Sequence, residues 1–272
     1  FRSEGAIDTF LKEQGVIGFY GLDTRRLTRV LRENGTMNGC IVAEEKEIPG
    51  AIERAKAYHV EGLVREATCP RNYVEGSDDA KYRVSILDLG MTDCFKRYLI
   101  ERGAQVHVVS AYTKAEEILA QHPDGILLSN GPGSSEAEPE VVAEVKKLAE
   151  SGVPIMGIDL GHLMLASAMG GGLIKLKHGH RGANQPVRYL PTDRVYISSQ
   201  NHGYAVSMDA LPQGAEVTFV NLNDGSCEGL LYKKLPALSV QFRPGNDEGM
   251  VDTGFLFDQF MKMMEVDANA AE

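Results

Sequence analysis

Ile155-Met156-Gly157-Ile158-Asp159-Leu160-Gly161-His162 is the stretch that decides the fold. A short apolar run meets two glycines flanking an acidic residue, and a longer apolar segment follows. That pattern is a strand entering a sharp turn and leaving as a helix, with the Asp159 side chain held at the helix N-terminus. Two readings fit these residues alone. One is a nucleophile elbow; the other is a plain strand–turn–helix in which Asp159 caps the helix.

Working outward, the alternation repeats upstream. Strands are predicted at 84–87, 106–109, 125–128 and 154–156, with helices ending near 102 and spanning 115–121 and 138–150. Short connections between alternating strands and helices imply an α/β fold with a doubly wound, mostly parallel sheet. In such sheets ligands bind at the carboxyl ends of strands. A second strand end carries Ser129-Asn130-Gly131-Pro132-Gly133. Its glycines allow backbone N–H groups to face a ligand, although an ordinary Gly-Pro turn reads equally well. Downstream, β-rich segments are predicted near 175, 187, 196, 217, 230 and 239, and an amphipathic helix over 254–264.

The polar run Glu75-Gly76-Ser77-Asp78-Asp79-Ala80 reads as a linker. It gives a first domain at 1–75, a linker at 76–82 and a second domain at 83–272. In the first, Asp23 is placed to cap a helix over 24–33, 37–43 reads as a strand, and Pro49 starts a helix to about 58. The first domain is therefore expected to be a small α+β unit.

The 272 residues carry 28 basic and 38 acidic side chains, a formal net charge of -10. A chain of that balance lacks the cationic face that general nucleic-acid or anionic-membrane binding needs. Cys40, Cys69, Cys94 and Cys227 are scattered with no CxxC pair, so neither a zinc cluster nor a disulfide framework is indicated. The sequence calls for no metal and no cofactor, and a cytoplasmic setting is expected.

Three motifs together resemble one family. Gly157-Ile158-Asp159-Leu160-Gly161-His162, the Ser129–Gly133 turn and Gln200-Asn201-His202-Gly203-Tyr204-Ala205-Val206 are similar to those of class I glutamine amidotransferases. More narrowly, Leu22-Asp23-Thr24-Arg25-Arg26-Leu27-Thr28-Arg29, Asn38-Gly39-Cys40-Ile41 and Lys177-His178-Gly179-His180-Arg181-Gly182-Ala183-Asn184-Gln185-Pro186-Val187 resemble the small subunit of carbamoyl phosphate synthetase. The resemblance implies glutamine hydrolysis, with ammonia passed to a large synthetase subunit in arginine and pyrimidine biosynthesis. It also implies a first domain that is incomplete here, because the family's opening strands and a glutamine-contacting Ser precede Phe1.

The family's chemistry uses an elbow Cys as nucleophile, a His as base and a Glu that orients the His. Carried over, those three positions hold Asp159, Arg243 and Gly245, and a glutamine-contacting Gln is replaced by Leu163. Gly131, Gly133, Leu160, Asn201, Gly203 and Tyr204 match the remaining substrate contacts. A carboxylate is a far poorer nucleophile than a thiolate toward an amide, a guanidinium has no acceptor for a proton, and glycine orients nothing. The glutaminase chemistry is therefore expected to be lost, leaving a structural or regulatory partner of a large subunit. Two readings of Asp159 and Arg243 stand side by side: they replace a thiolate–imidazolium pair by a bidentate carboxylate–guanidinium pair that plugs the pocket, or they changed independently of each other. An active glutaminase, a stand-alone glutamine-binding module and a hydrolase using Asp159 as nucleophile stand as alternatives. His162, His178, His180 and His202 fall at non-catalytic positions and are read as packing or hydrogen-bonding residues.

Overall fold

Helix formation in the first part of the chain follows local signals. In the computed structural model, which describes residues 3, 5–245 and 252–270, α1 (Ile7–Glu13) is followed by α2 (Thr24–Asn34) and α3 (Ile48–Ala57). The Asp23 carboxylate accepts the Arg26 backbone N–H at 2.9 Å, and Gly35, at φ 86°, follows the last turn of α2. The strand expected at 37–43 is not formed, and the described elements of this part are all helical. An extended segment needs a neighbour to pair its backbone groups, and none of the described residues here supplies one.

The chain divides into two units, Phe1–Lys56 and Ala57–Glu272. The polar run expected as a linker lies well inside the second unit. There β1 (Tyr73–Glu75) pairs antiparallel with β3 (Ala104–Ser110), and Asp78 accepts a hydrogen bond from Gln105 Nε2 at 2.9 Å. In the first unit Ala51 is the sole buried hydrophobic residue among those described, while Ile7, Phe10, Ile17 and Tyr20 are exposed.

The second unit begins with α4 (Leu63–Ala67) and β1. It continues through β2 (Tyr82–Asp88), α5 (Cys94–Ile100), β3 (Ala104–Ser110), α6 (Ala115–Leu119), β4 (Gly125–Leu128), α7 (Pro139–Glu150), β5 (Ile155–Ile158) and α8 (Leu160–Ala168). A β-rich half follows: β6 (Leu173–Tyr189), β7 (Arg194–Val206), β8 (Ala215–Asn221), β9 (Cys227–Tyr232) and β10 (Ala237–Val240), before α9 (Phe255–Ala270). All ten strands form one sheet in the order β1-β3-β2-β4-β5-β10-β9-β8-β6-β7. The block β3-β2-β4-β5-β10 is parallel, and everything beyond β10 is antiparallel. The expected doubly wound α/β fold is thus present, and the two β segments expected near 175 and 187 are one continuous strand.

Strand periodicity sorts the core. Leu87, Ile126, Leu128 and Ile155 face one side, with Leu160, Leu163 and Val145; Ile86, Leu127, Met156 and Ile158 face the other, with Phe95, Phe257 and Phe260. Strand order reverses between β2 and β4, the place where open α/β sheets bind ligands. The loops there are braced by side chains: Leu89 N–H donates to Ser129 Oγ at 2.9 Å, and Thr92 N–H to Asn130 Oδ1 at 3.0 Å.

Candidate active site

The elbow is present in its strained form. Asp159 has φ 54° and ψ -108°, a conformation that costs a non-glycine residue about 1–3 kcal/mol. Its surroundings enforce it. Asp159 N–H donates to the Val240 carbonyl at 2.9 Å, and His162 N–H donates back to the Asp159 carbonyl at 3.1 Å. A Cβ at Gly157 would sit 2.7 Å from the Gly161 carbonyl oxygen, and one at Gly161 would run into the Leu128 carbonyl. That close approach lets Gly161 N–H reach the Ser129 carbonyl at 3.0 Å, joining the elbow to the Ser129–Gly133 turn.

The Asp159 side chain does not cap α8, which removes the plain capping reading. It accepts a hydrogen bond from Gln241 Nε2 at 3.3 Å, a contact created by the parallel pairing of β5 with β10. The carboxyl is buried, and desolvation pushes its pKa up to about 7 against the opposing pull of Arg243 and the Gln241 bond; Glu228 adds to the rise. Near neutral pH the group therefore divides between acid and carboxylate.

The expected bidentate pair is not made: Asp159 and Arg243 feel each other's charge, but no ion pair joins them among the described residues. Arg243 N–H donates to the Ser199 carbonyl at 3.0 Å, tying residue 243 to β7. Its Nε is buried without a partner, and so is Gln241 Oε1.

Gly245, expected from the motif spacing at the place of the orienting Glu, has little room for any side chain. It lies at φ 67°, and a Cβ there would stand 2.7 Å from the Tyr98 ring. Tyr98 is itself stacked on Phe257, with centroids 5.2 Å apart. The space that an orienting carboxylate would need is filled by aromatic packing.

Of the remaining sequence-predicted residues, Gly131 packs against the Leu89 carbonyl, whereas Gly133 is exposed at φ 88°. Leu160 and Leu163 are buried in the first turn of α8 and belong to the core. Asn201, Gly203 and Tyr204 lie on β7, with Asn201 exposed and Tyr204 packed against that core. His162 is fully buried, its Nδ1 is 2.8 Å from Ser239 Oγ, and burial pushes its pKa down to about 3. That is a packing role. Cys94 and Cys227 are buried, and burial raises the Cys227 thiol to about 12, so it offers no thiolate at neutral pH. Sequence reasoning missed Gln241, Tyr98 and the buried Glu228, whose contacts with Asp159, Gly245 and His180 join distant parts of the chain and leave no local pattern.

Comparison with known proteins agrees with this architecture. Residues 85–263 match the family Glutamine amidotransferase class-I, and residues 1–41 match the Carbamoyl-phosphate synthase small chain, CPSase domain. The chain is 42% identical to the carbamoyl phosphate synthase small chain of Polynucleobacter asymbioticus, covering 97% of this chain and 74% of that one. It is 43% identical to the small chains of Clostridium perfringens, over 96% of this chain and 74% of that one, and of Methanocaldococcus jannaschii, over 96% and 75%. Among solved structures, a glutamine amidotransferase from Thermotoga maritima matches with a TM-score of 0.54 at 16% identity, over 68% of this chain and 98% of that one. At that identity the match speaks to fold. No helix among the described residues is long and apolar enough to cross a membrane. With an amidotransferase elbow set in a sheet of this order, and with small-chain sequence on both sides of residue 57, the chain belongs to the carbamoyl phosphate synthase small-chain family.

Proposed function

We propose that this chain is the small-subunit component of a carbamoyl phosphate synthetase in which glutamine hydrolysis has been lost, and that it stabilises or regulates a large subunit fed by free ammonia. By family resemblance the setting is arginine and pyrimidine biosynthesis in the cytoplasm. The observation that carries the reading is the set Asp159, Arg243 and Gly245 on an otherwise retained elbow. Attack by the Asp159 carboxylate on an amide would give an anhydride rather than a thioester. A guanidinium at 243 offers no acceptor atom to relay a proton, and no imidazole occupies either position. General acid–base assistance is worth about 10²–10⁴-fold, and losing the nucleophile as well costs more. Gly131, Gly133, Leu160, Asn201, Gly203 and Tyr204 would line what remains of the glutamine pocket, and Leu163 removes one contact.

The test is ammonia release from glutamine by the chain alone and mixed with a large subunit. The expected result is stable co-purification, no glutaminase turnover, and carbamoyl phosphate synthesis from ammonium salts. Steady ammonia release abolished by Asp159→Asn would overturn the proposal. The triple change Asp159→Cys, Arg243→His, Gly245→Glu serves as the comparison, and Tyr98 is expected to keep its activity low.

A further inference from the structure

Behind the strand that carries Asn201 and Gly203 lies a buried cluster that the chemistry at residue 159 does not use. His180 on β6 and His202 on β7 are register partners, with ring centroids 4.9 Å apart and rings edge to face. Glu228 on β9 reaches both. Its Oε1 lies 3.1 Å from His180 Nδ1 and 3.9 Å from His202 Nε2. All three side chains are buried, Glu228 completely, and its Oε2 has no hydrogen-bond partner.

Contacts on the outer side of each ring decide what faces inward. His202 Nδ1 is 2.8 Å from the Tyr204 carbonyl, which can only accept, so the neutral ring carries its proton there and turns a lone pair inward at Nε2. That lone pair meets another acceptor, Gln200 Oε1, at 3.1 Å, while Gln200 Nε2 donates to Ser198 Oγ at 3.0 Å. His180 Nε2 is 2.9 Å from Asp224 Oδ2 and Nδ1 is 3.1 Å from Glu228 Oε1, so a neutral ring that donates to Asp224 turns its Nδ1 lone pair toward Glu228. Donors into this space are few: Asn221 Nδ2, at 3.3 Å from His180 Nδ1 and 3.2 Å from Glu228 Oε1, and Ser226 Oγ at 3.4 Å from the same oxygen. Acceptors that converge in a low-dielectric interior repel one another unless a cation or proton lies between them. A carboxylate on the outer nitrogen of one imidazole and a backbone carbonyl on that of the other is the arrangement that orients metal-bound histidines.

We propose that His180, His202 and Glu228 form a binding site for one divalent transition-metal ion of the zinc type, with Gln200 Oε1 or water completing four-coordination. The three ligand atoms lie within 4.8 Å of one another. Tetrahedral bonds of about 2.0–2.1 Å set ligand atoms roughly 3.3 Å apart; the 3.1 Å His180–Glu228 contact already matches this, and the movement on binding falls to His202, which closes toward the other two. Charge closes as well: the Glu228 and Asp224 carboxylates balance a doubly charged ion held by two neutral imidazoles. The ion would pin β6, β7 and β9 together and fix the strand segment bearing Asn201, Gly203 and Tyr204.

The test uses the full chain, stripped with a chelator, dialysed and titrated with zinc chloride by calorimetry, and loaded in parallel with cobalt(II). Expected are one equivalent of zinc, a rise in Tm, and the intense visible bands of four-coordinate cobalt. His202→Ala and Glu228→Gln should weaken zinc binding by about tenfold or more, whereas His178→Ala, at an exposed neighbour, should not. Should those variants fail to fold, the cobalt spectrum and histidine ¹⁵N shifts of the unaltered chain decide. No binding heat, octahedral cobalt bands, or equal zinc affinity in folded His202→Ala would overturn the site. A protonated His180 held between Asp224 and Glu228 would then account for the cluster without an ion.

Discussion

The turn leaving β5 and the turn leaving β10 adjoin in the sheet, yet they have met different fates. At the β5 exit the backbone keeps every feature of an elbow: a positive φ at residue 159, and glycines packed against carbonyl groups of neighbouring segments. At the β10 exit Tyr98 occupies the space that a side chain at 245 would need. The lesson is that the elbow geometry is enforced by backbone packing whatever side chain residue 159 carries, whereas at 245 packing leaves no room for a side chain at all. The β5 exit presents a group; the β10 exit, as packed here, cannot.

The largest expected effect tests the first half of this contrast. Gly161→Ala drives a methyl into the Leu128 carbonyl, where backbone cannot yield as a flexible side chain does. It should lower stability by about 3–5 kcal/mol in urea unfolding or leave the chain insoluble. A loss below about 1 kcal/mol would show that the elbow is looser than described.

Next comes Gly245→Glu. Left-handed backbone strain of about 1–2 kcal/mol and the clash with Tyr98 together should cost roughly 2–4 kcal/mol. In Tyr98→Ala the same substitution should cost markedly less, a coupling that a double-mutant cycle would measure. Additive losses would mean that Tyr98 is not what closes the position.

Asp159→Asn should act in the opposite sense and only at higher pH. A carboxyl whose folded pKa stands near 7, above the ordinary 3.8, makes the fold less stable as pH rises from about 4 through 7. The native state holds the proton across that window and the unfolded state does not. The amide removes the penalty and tolerates the positive φ, so Tm should rise by roughly 4–8 °C at pH 8.5 and stay nearly unchanged at pH 4. A uniform shift at both values would remove the buried-carboxyl account.

The smallest effect sharpens the relation between the two turns. Arg243 pulls the Asp159 pKa down without pairing to it, so Arg243→Met should move that pH midpoint upward by a fraction of a unit. An unmoved midpoint would separate the two residues electrostatically as well as geometrically.

Much of the second unit was legible because its signals are local. Apolar runs of strand length, the Gly-x-Asp-x-Gly turn and the α7 periodicity each report on neighbours within a few residues. What failed needed a partner elsewhere. The segment 37–43 has strand-forming residues but finds nothing to pair with, and the polar run 75–80 looked like a linker although Glu75 and Asp78 are drawn onto β3. At the site, positions 159, 243 and 245 could be singled out from motif spacing, but the contacts they make could not. Gln241 meets Asp159 across 82 residues, and Tyr98 reaches Gly245 from α5. The Asp159–Arg243 pair was expected from two positions 84 residues apart, and no local signal in the sequence reports how their side chains meet.

Tyr98 beneath Gly245 makes the two positions interdependent. Glutamate placed at 245 alone crowds the ring and lowers stability, while shrinking Tyr98 alone opens a void against Phe257. Neither side chain changes without cost unless the other changes with it, so the pair can vary only in concert.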